Sequence, residues 1–451
     1  MPNLSVLDQR MNIRTIVWPI FVESLLRLSM MTIDVLMLSR YSDDAVAAVG
    51  LTGSFIFFLL LTYTIVSSGS AILMGQALGA RQPGEATAYA ESGLLLSILL
   101  SIAVGLTFFC ASSGVVALYS LEPAVHQYAV QYLTIVGSLS IGMSVSILLA
   151  AILRAHGFSK SPMMVQLLAA AINVCGNYLA LFAPFGLPET GVVGVAFSTV
   201  ISQLIAAAVS FWLLIQHRVP FSVRTALRFD RPRLTAILKV GIPNGAEGLS
   251  YNMSQISIMF FVAQLGTAAL AAVAITQTVT RFTFVFAMSV GGGAQIIASY
   301  MIGQNRAAEL KSLVHRLWVM AVAVSFLSAL TMVLLRAPLA AFFTHDPTTQ
   351  SLIGLVMLVS LLVEPGRAIN LVVLAALKGS GDVVFPVKVA VLSMWGVGVL
   401  LAYVLGLHWS WGLVGIWVAM GLDECTRGLI MIYRWQSEKW TRFKRVHNNL
   451  V

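Results

Sequence analysis

Twelve long apolar runs follow one another in this chain with no hydrophilic domain between them, and that pattern restricts the fold more than any other feature. One buried apolar helix is ordinary in a soluble protein; a dozen in succession is not. Runs of about twenty apolar residues with few charges read as membrane spans. Lipid offers the backbone no hydrogen-bonding partner, so a spanning segment is a helix or part of a closed barrel. Barrel strands would be roughly ten residues long and alternate in polarity. The runs here are continuous and long, which selects helices. Composition agrees: 58% of the 451 residues are hydrophobic, 10% are charged, and the mean hydropathy is +0.89, whereas a soluble chain is nearer a quarter charged. The fold class is therefore an all-α polytopic membrane protein.

The expected spans are 13–38, 49–78, 92–118, 128–153, 163–185, 192–216, 237–263, 270–301, 317–341, 351–377, 385–405 and 413–433. The first starts near Arg14 and lacks a small-residue cleavage pattern, so it reads as a span rather than a signal peptide. Cys110, Cys175 and Cys425 lie in apolar stretches at no metal-ligand spacing and read as small hydrophobes without a disulfide framework.

The linkers alternate in charge. One side receives Arg10, Arg14, Arg81, Arg154 and Lys160, the run Arg218, Arg224, Arg228, Arg231, Arg233 and Lys239, then Arg306, Lys311, Arg316, Lys378, Lys388, Arg434, Lys439, Arg442, Lys444 and Arg445. The other receives Arg40 and Arg336 with the acids Asp43, Asp44, Glu122, Glu189 and Asp346. The positive-inside rule then puts both termini and the middle linker in the cytoplasm and requires an even number of spans. The net charge of +9 is accounted for by basic loops facing anionic membrane lipids, with no nucleic acid needed.

The chain also repeats itself. Under a shift of 224 positions Pro19 falls on Pro243, Glu23 on Glu247, Ala47-Ala48-Val49 on Ala271-Ala272-Val273, Gly79 on Gly303, Gly157 on Gly381 and Pro162 on Pro386. Gly191 and Gly194 meet Gly412 and Gly415 after a slip of three. Internal repeats are read before single motifs, and this one predicts two six-helix bundles of like orientation, related by a pseudo-twofold axis along the membrane normal. Such halves build secondary transporters with a central site that opens alternately to each side. The expected organisation is a lobe at 1–217, a cytoplasmic linker at 218–236 whose charges and Pro220 and Pro232 suit a solvated hinge, a lobe at 237–436, and a basic cytoplasmic tail at 437–451.

No G-x-x-x-x-G-K-[ST] motif is present; Gly291-Gly292-Gly293 lies inside a span and reads as close helix packing. Neither H-E-x-x-H nor a nucleophile motif appears, so the expectation is a transporter and not an enzyme, energised by an ion gradient or a partner and needing no cofactor.

Ionisable groups inside spans are expensive and point to function. The first span holds Glu23, Arg27 and Asp34. Glu23 and Arg27, four apart, share a face and can neutralise each other. Asp34 lies two turns further, among Met31, Thr32, Val35 and Leu36, with no partner nearby in sequence. Such a carboxylate suits reversible protonation, or exchange of a proton for substrate or cation; the competing reading is a hydrated group at the outer helix end, marked by Asp43 and Asp44. Glu247 is the repeat mate of Glu23, Glu364 precedes Arg367 by three, and Asp423, Glu424 and Arg427 form a further charged knot. Arg281 interrupts the eighth span as a candidate counter-ion for Glu247 or Glu364. Glu23, Arg27, Arg367, Asp423 and Arg427 are thus candidates for structural charge pairs; Asp34, Glu247 and Glu364 are candidates for ion coupling. Asn173 and Asn177 share a helix face, and Gln203, Gln255 and Gln277 add polar groups, although buried amides also simply join membrane helices. With Tyr251, Arg281 and Met288 they make up the candidate substrate cavity.

Pro19 with Asp34 fifteen residues on, Ala45-Val-Ala-Ala-Val-Gly50, Gly75-Gln76-Ala77-Leu78-Gly79-Ala80, Leu153-Arg154-Ala155-His156-Gly157, Asn173 to Asn177, Gly241-Ile242-Pro243, Ile302-Gly303-Gln304 and Leu377-Lys378-Gly379-Ser380-Gly381-Asp382 together resemble the multidrug and toxic compound extrusion (MATE) family. The resemblance runs over essentially the whole chain and is nearest to the bacterial DNA-damage-inducible (DinF-like), proton-using branch. It implies a V-shaped cavity between two bundles and drug efflux by antiport against protons or sodium. It makes Asp34 the match of the family's first-helix aspartate and Asn173 of a companion asparagine, while Asn177 stands where some branches carry a second aspartate. The acids of sodium-coupled relatives would fall at Tyr251 and Arg367, with Glu247 and Glu364 displaced by about a turn.

The expected function is secondary active export of small organic cations in exchange for H+, with Na+ coupling or a lipid-linked precursor flippase as alternatives. The flippase would use Arg27, Arg281 and Arg367 as cavity cations. The expected location is a bacterial cytoplasmic (inner) membrane, with the monomer sufficient for function.

Overall fold

Every regular element among the described residues is helical. The computed structural model describes residues 7, 8, 10–186, 188–226 and 228–444. Arg445 and the rest of the tail beyond Lys444, and the side chains of Met31 and Arg224, lie outside the described residues. In chain order the helices are α1 (Ile13–Leu38), α2 (Asp43–Gly79), α3 (Pro83–Val116), α4 (Pro123–Ser138), α5 (Ile141–Ala155), α6 (Lys160–Phe182), α7 (Gly191–Gln216), α8 (Arg231–Gln264), α9 (Thr267–Gly303), α10 (Ala307–Leu334), α11 (Arg336–Phe343), α12 (Pro347–Gly379), α13 (Val384–His408) and α14 (Gly412–Gln436), with short turns at Val223–Ala226 and Lys439–Phe443. Among the described residues eight of these, α2, α3, α6, α7, α9, α10, α12 and α13, are long and apolar enough to cross a membrane, or nine spans if the bent pair α4 and α5 counts as one. The remaining long helices α1, α8 and α14 carry intramembrane charges: Glu23, Arg27 and Asp34; Glu247; Asp423, Glu424 and Arg427.

Local chemistry sets the ends. Pro83, Pro123 and Pro347 each open a helix, where a missing N–H costs nothing and the fixed φ is already helical. Asp346 caps α12, accepting from the backbone N–H of Thr349 at 2.9 Å and of Thr348 at 3.4 Å. Helix α6 stops at Ala183, whose φ of 42° is left-handed, before Pro184.

Four differences from the hydropathy reading have a local reason. The run 128–153 is not one helix: it breaks at residues 139–140 and bends by 47°, beside Gly137, Ser138 and Ser140, the residue types at which helices kink. Ser140 is held there by the Tyr63 hydroxyl at 2.6 Å, and α3 comes so close that a Cβ on Gly105 would lie 2.7 Å from the Ser138 carbonyl oxygen. The run 317–341 breaks at Leu335, leaving Pro338 in the first turn of α11, where proline is tolerated. Helix α13 widens into π-helical turns at Met394–Val399 and Ala402–His408, which contain Gly396, Gly398 and Gly406. The linker ends sooner than expected, because Asp230 accepts from the backbone N–H of Arg233 at 3.3 Å and starts α8 at Arg231. Pro232 is therefore a first-turn proline rather than part of a hinge. Beyond α14 the chain stays packed: Trp440 is buried and stacks on Trp435 at 4.2 Å.

The chain divides into two compact units, one made of the residues up to Leu78 with Gln82–Gly245, the other of Gly79–Arg81 and the residues from Ala246 on. In the first, α6 packs on α1 and α7, and α3 on α4 and α5. Its core includes Leu38, Tyr132, Val136, Leu181, Val192 and Val195. In the second, α12 is central and packs on α9, α10 and α14, around Val273, Ile353, Met357, Ile416 and Trp417. Membrane helices gain little from excluding lipid, so close contact matters; Gly366 of α12 supplies it, since a Cβ there would meet Cys425 of α14 at 2.7 Å.

Candidate functional site

The first unit assembles a small polar site from three helices. Asp34 of α1 accepts a hydrogen bond from Asn177 Nδ2 of α6 at 2.6 Å. Asn177 stands one turn from Asn173, with its Nδ2 3.4 Å from Asn173 Oδ1, and Asn173 donates to Thr199 Oγ1 of α7 at 3.3 Å. Both asparagines are fully buried. Spacings of four on α6 put the two amides on one face, which the sequence pattern required. One turn beyond each polar residue lies an apolar one: Leu38 after Asp34, Leu181 after Asn177, Val195 before Thr199, all in one buried cluster. That cluster closes the site towards the α1 terminus, so Asp34 is not the freely hydrated end group that Asp43 and Asp44 suggested. Asn177 Oδ1 is buried and accepts nothing among the described residues. Gln203, one turn past Thr199, is half-buried on the same helix.

The second unit gathers more charge. Arg367 Nη1 of α12 meets Glu364 Oε1 at 2.8 Å, and its Nε lies 3.5 Å from Glu424 Oε1 of α14. Arg427 Nη2 lies 2.6 Å from Asp423 Oδ2 and 3.1 Å from Glu424 Oε2. Asn370 donates to Glu424 at 2.9 Å and Ser393 to Asp423 at 2.6 Å. The two knots that sequence spacing separated are thus one network, three carboxylates held by two guanidinium groups. Beside it is a cavity of about 410 Å³ lined by Tyr251, Gln255, Gln277, Arg281, Glu364 and Arg367 among others. Met288 is exposed and is not one of its lining residues.

Arg281 is not the counter-ion of Glu247 or Glu364. It is exposed, and among the described residues no carboxylate pairs with it. Glu364 is taken by Arg367, and Glu247 is paired with Lys378, which sits in the last turn of α12 with 9% of its side chain exposed. The first unit shows the same arrangement: Glu23 meets Arg154 of α5 at 2.8 Å as well as Arg27 at 3.3 Å. Arg154 and Lys378 are repeat mates, and each pair spans 131 residues. Sequence reasoning had counted both cations as loop charges. The signal that finds them is the repeat itself, since the offset that relates Glu23 to Glu247 also relates Arg154 to Lys378.

The MatE family matches residues 19–179 and 243–404, each stretch beginning at one of the two repeat-mated prolines. The chain belongs to the MatE family. MatE proteins transport and are not enzymes. The Bacillus subtilis protein called uncharacterized transporter YisQ is 32% identical over 437 residues, 96% of this chain and 95% of its own length. The probable multidrug resistance protein YoeA of the same organism is 28% identical, over 88% of this chain and 87% of its own. A crystal structure of a mutant of the Vibrio cholerae MATE transporter VcmN superposes with a TM-score of 0.87 at 17% identity, covering 97% of this chain and 99% of that one. At that identity the likeness speaks for the fold: an all-α polytopic membrane architecture shared with MatE transporters.

Proposed function

We propose that this chain exports organic cations, including drugs, from a bacterial cell in exchange for protons, through twelve spans in two six-helix lobes with both termini in the cytoplasm. The count follows from adding the three charge-bearing helices α1, α8 and α14 to the nine apolar spans. Curated relatives carrying multidrug-resistance names support the substrate class. The membrane is the cytoplasmic one, and the family branch is the DinF-like one.

The observation that carries the coupling is the isolation of Asp34. Among the described residues, the other acids inside the expected spans face a lysine or arginine: Glu23, Glu247, Glu364, Asp423 and Glu424. Asp34 faces an amide. A carboxylate locked to a guanidinium has nothing to exchange; one held by an amide can pick up a proton or a substrate ammonium. Asn177 serves both states. It donates Nδ2 to the ionised carboxylate, and turning the amide presents its unpartnered Oδ1 to the O–H of the protonated one. Substrate and proton then compete at one group while the two open states exchange, which is sufficient for antiport. A sodium site in the second unit would have to displace Arg367 or Arg427 from its acids, which favours the proton.

The test is dye export in inverted vesicles driven in turn by a pH gradient and a sodium gradient, in wild type and Asp34→Asn. The expected result is transport on the pH gradient alone, abolished in the variant. Transport on sodium alone would move coupling to Glu364 and its network. No transport of any cation by folded protein would remove the antiporter reading and raise the flippase, for which Arg281 is the available cavity cation.

A further inference from the structure

The N-terminal segment, the turn between α5 and α6 and the end of α7 meet at one end of the first unit and enclose a cleft of about 400 Å³. Arg10, Thr15, Phe158, Lys160, Ser161 and His217 line it. Phe158 is its shelf. The Arg10 guanidinium lies 4.4 Å above the ring centroid, and the His217 imidazole stacks on it at 3.9 Å with planes 13° apart. Ser161 Oγ lies 3.0 Å from His217 Nε2, fixing the ring. Burial, and then the nearby Arg10 charge, push His217 below the usual histidine range. The imidazole is therefore neutral at neutral pH, and the cleft's positive charge is that of Arg10 and Lys160. Lys160 is exposed, and among the described residues no carboxylate pairs with it or lines the cleft.

The second unit shows how such a corner is neutralised from within. There Arg434 also lies over a ring, Phe385, at 4.4 Å, but Asp382 holds it at 2.7 Å. Asp382 is the repeat mate of Phe158. Where the second unit has its own anion, the first has an aromatic shelf, two cations and two hydroxyls around an open volume. Guanidinium and ammonium groups beside hydroxyls recognise phosphate oxygens, and basic pockets between helices at a membrane surface hold lipid headgroups.

We propose that this cleft binds a phosphate group between Arg10 and Lys160, with Ser161, whose oxygen can accept from His217 Nε2–H, as a further donor, the source being an anionic phospholipid headgroup or a soluble phosphate of the same chemistry. The experiment is thermal unfolding of the full-length protein in detergent, titrated separately with phosphatidylglycerol, phosphatidylcholine and inorganic phosphate. It is repeated for Lys160→Ala, for Arg10→Ala/Lys160→Ala, and for Arg228→Ala, an exposed arginine that does not line the cleft. Phosphatidylglycerol should raise the unfolding temperature above the phosphatidylcholine value. Its half-saturating concentration should rise about tenfold in Lys160→Ala, as expected for loss of a charge-assisted hydrogen bond, and further in the double variant, while Arg228→Ala titrates like wild type. Inorganic phosphate producing the same Lys160-dependent shift with the two lipids alike would retain the site and assign it to a soluble ligand. Equal responses from the cleft variants and wild type, or a loss as large in Arg228→Ala, would overturn the proposal.

Discussion

The two halves of this protein start from one plan and spend their charges differently. In the first, one acid of the membrane interior, Asp34, meets an amide and no lysine or arginine, and around it stand Asn177, Asn173, Thr199 and Tyr132. In the second, Glu364, Asp423 and Glu424 are tied to Arg367 and Arg427 in a buried network. The plan both halves keep is the pair Glu23–Arg154 and its mate Glu247–Lys378. On the coupling proposed above, acid content is a poor guide to which half responds to ions. Charge locked to opposite charge fixes geometry, whereas charge held by a neutral group remains exchangeable.

Four experiments break or sharpen that contrast. The largest effect is expected at Asp34. Asp34→Asn should bring gradient-driven dye export to background while leaving expression and unfolding temperature near wild type, because Asn177 keeps a hydrogen-bonding partner. If the unfolding temperature collapses instead, Asp34 is structural and the two halves are alike.

Next comes the shared pair. Glu247→Gln leaves the Lys378 ammonium buried without its acid and should cost about 3–5 kcal/mol, read by denaturant or thermal unfolding. The double change Glu247→Gln/Lys378→Met should regain most of it. Glu23→Gln should cost less, about 1–3 kcal/mol, because Arg27 and Arg154, 41% and 21% exposed, can turn to water. Equal costs would mean that exposure does not separate the two halves. In the network, Ser393→Ala removes the 2.6 Å hydrogen bond to Asp423 and should cost about 1–2 kcal/mol; no measurable loss would show that Arg427 alone satisfies that carboxylate. The smallest effect is expected on the surface. Arg233 is one-third exposed and pairs with Glu85 at 2.8 Å, and Arg233→Ala should cost under about 1 kcal/mol. A loss comparable to that of Glu247→Gln would make this contact a structural tie.

Much of this could be read before any coordinates. Helices and repeat follow from hydropathy and from glycine and proline placement, because lipid admits few alternatives. Asn177 near Asp34 was within reach through helix periodicity and the family resemblance. The break at residues 139–140 and the wide turns of α13 were not, since both lie within apolar stretches where charge carries no signal and backbone geometry is decided by packing; the break at Leu335 did leave a signal, in Arg336 and Pro338. Lys378 and Arg154 were misplaced for another reason. A cation in the last turn of a helix and one in the following loop look the same along the chain, and only the partner's position tells them apart. Merging of the Glu364 and Glu424 knots needed α12 against α14, a contact that no local spacing encodes.

Two ion pairs, each bridging the same 131 residues in its own half, also act as clasps at equivalent places of the repeat. Each half therefore carries its own closure within its own stretch of chain. A half-length polypeptide ending near Gln216 contains both partners of the Glu23–Arg154 clasp, and that clasp should still form when the polypeptide is made alone.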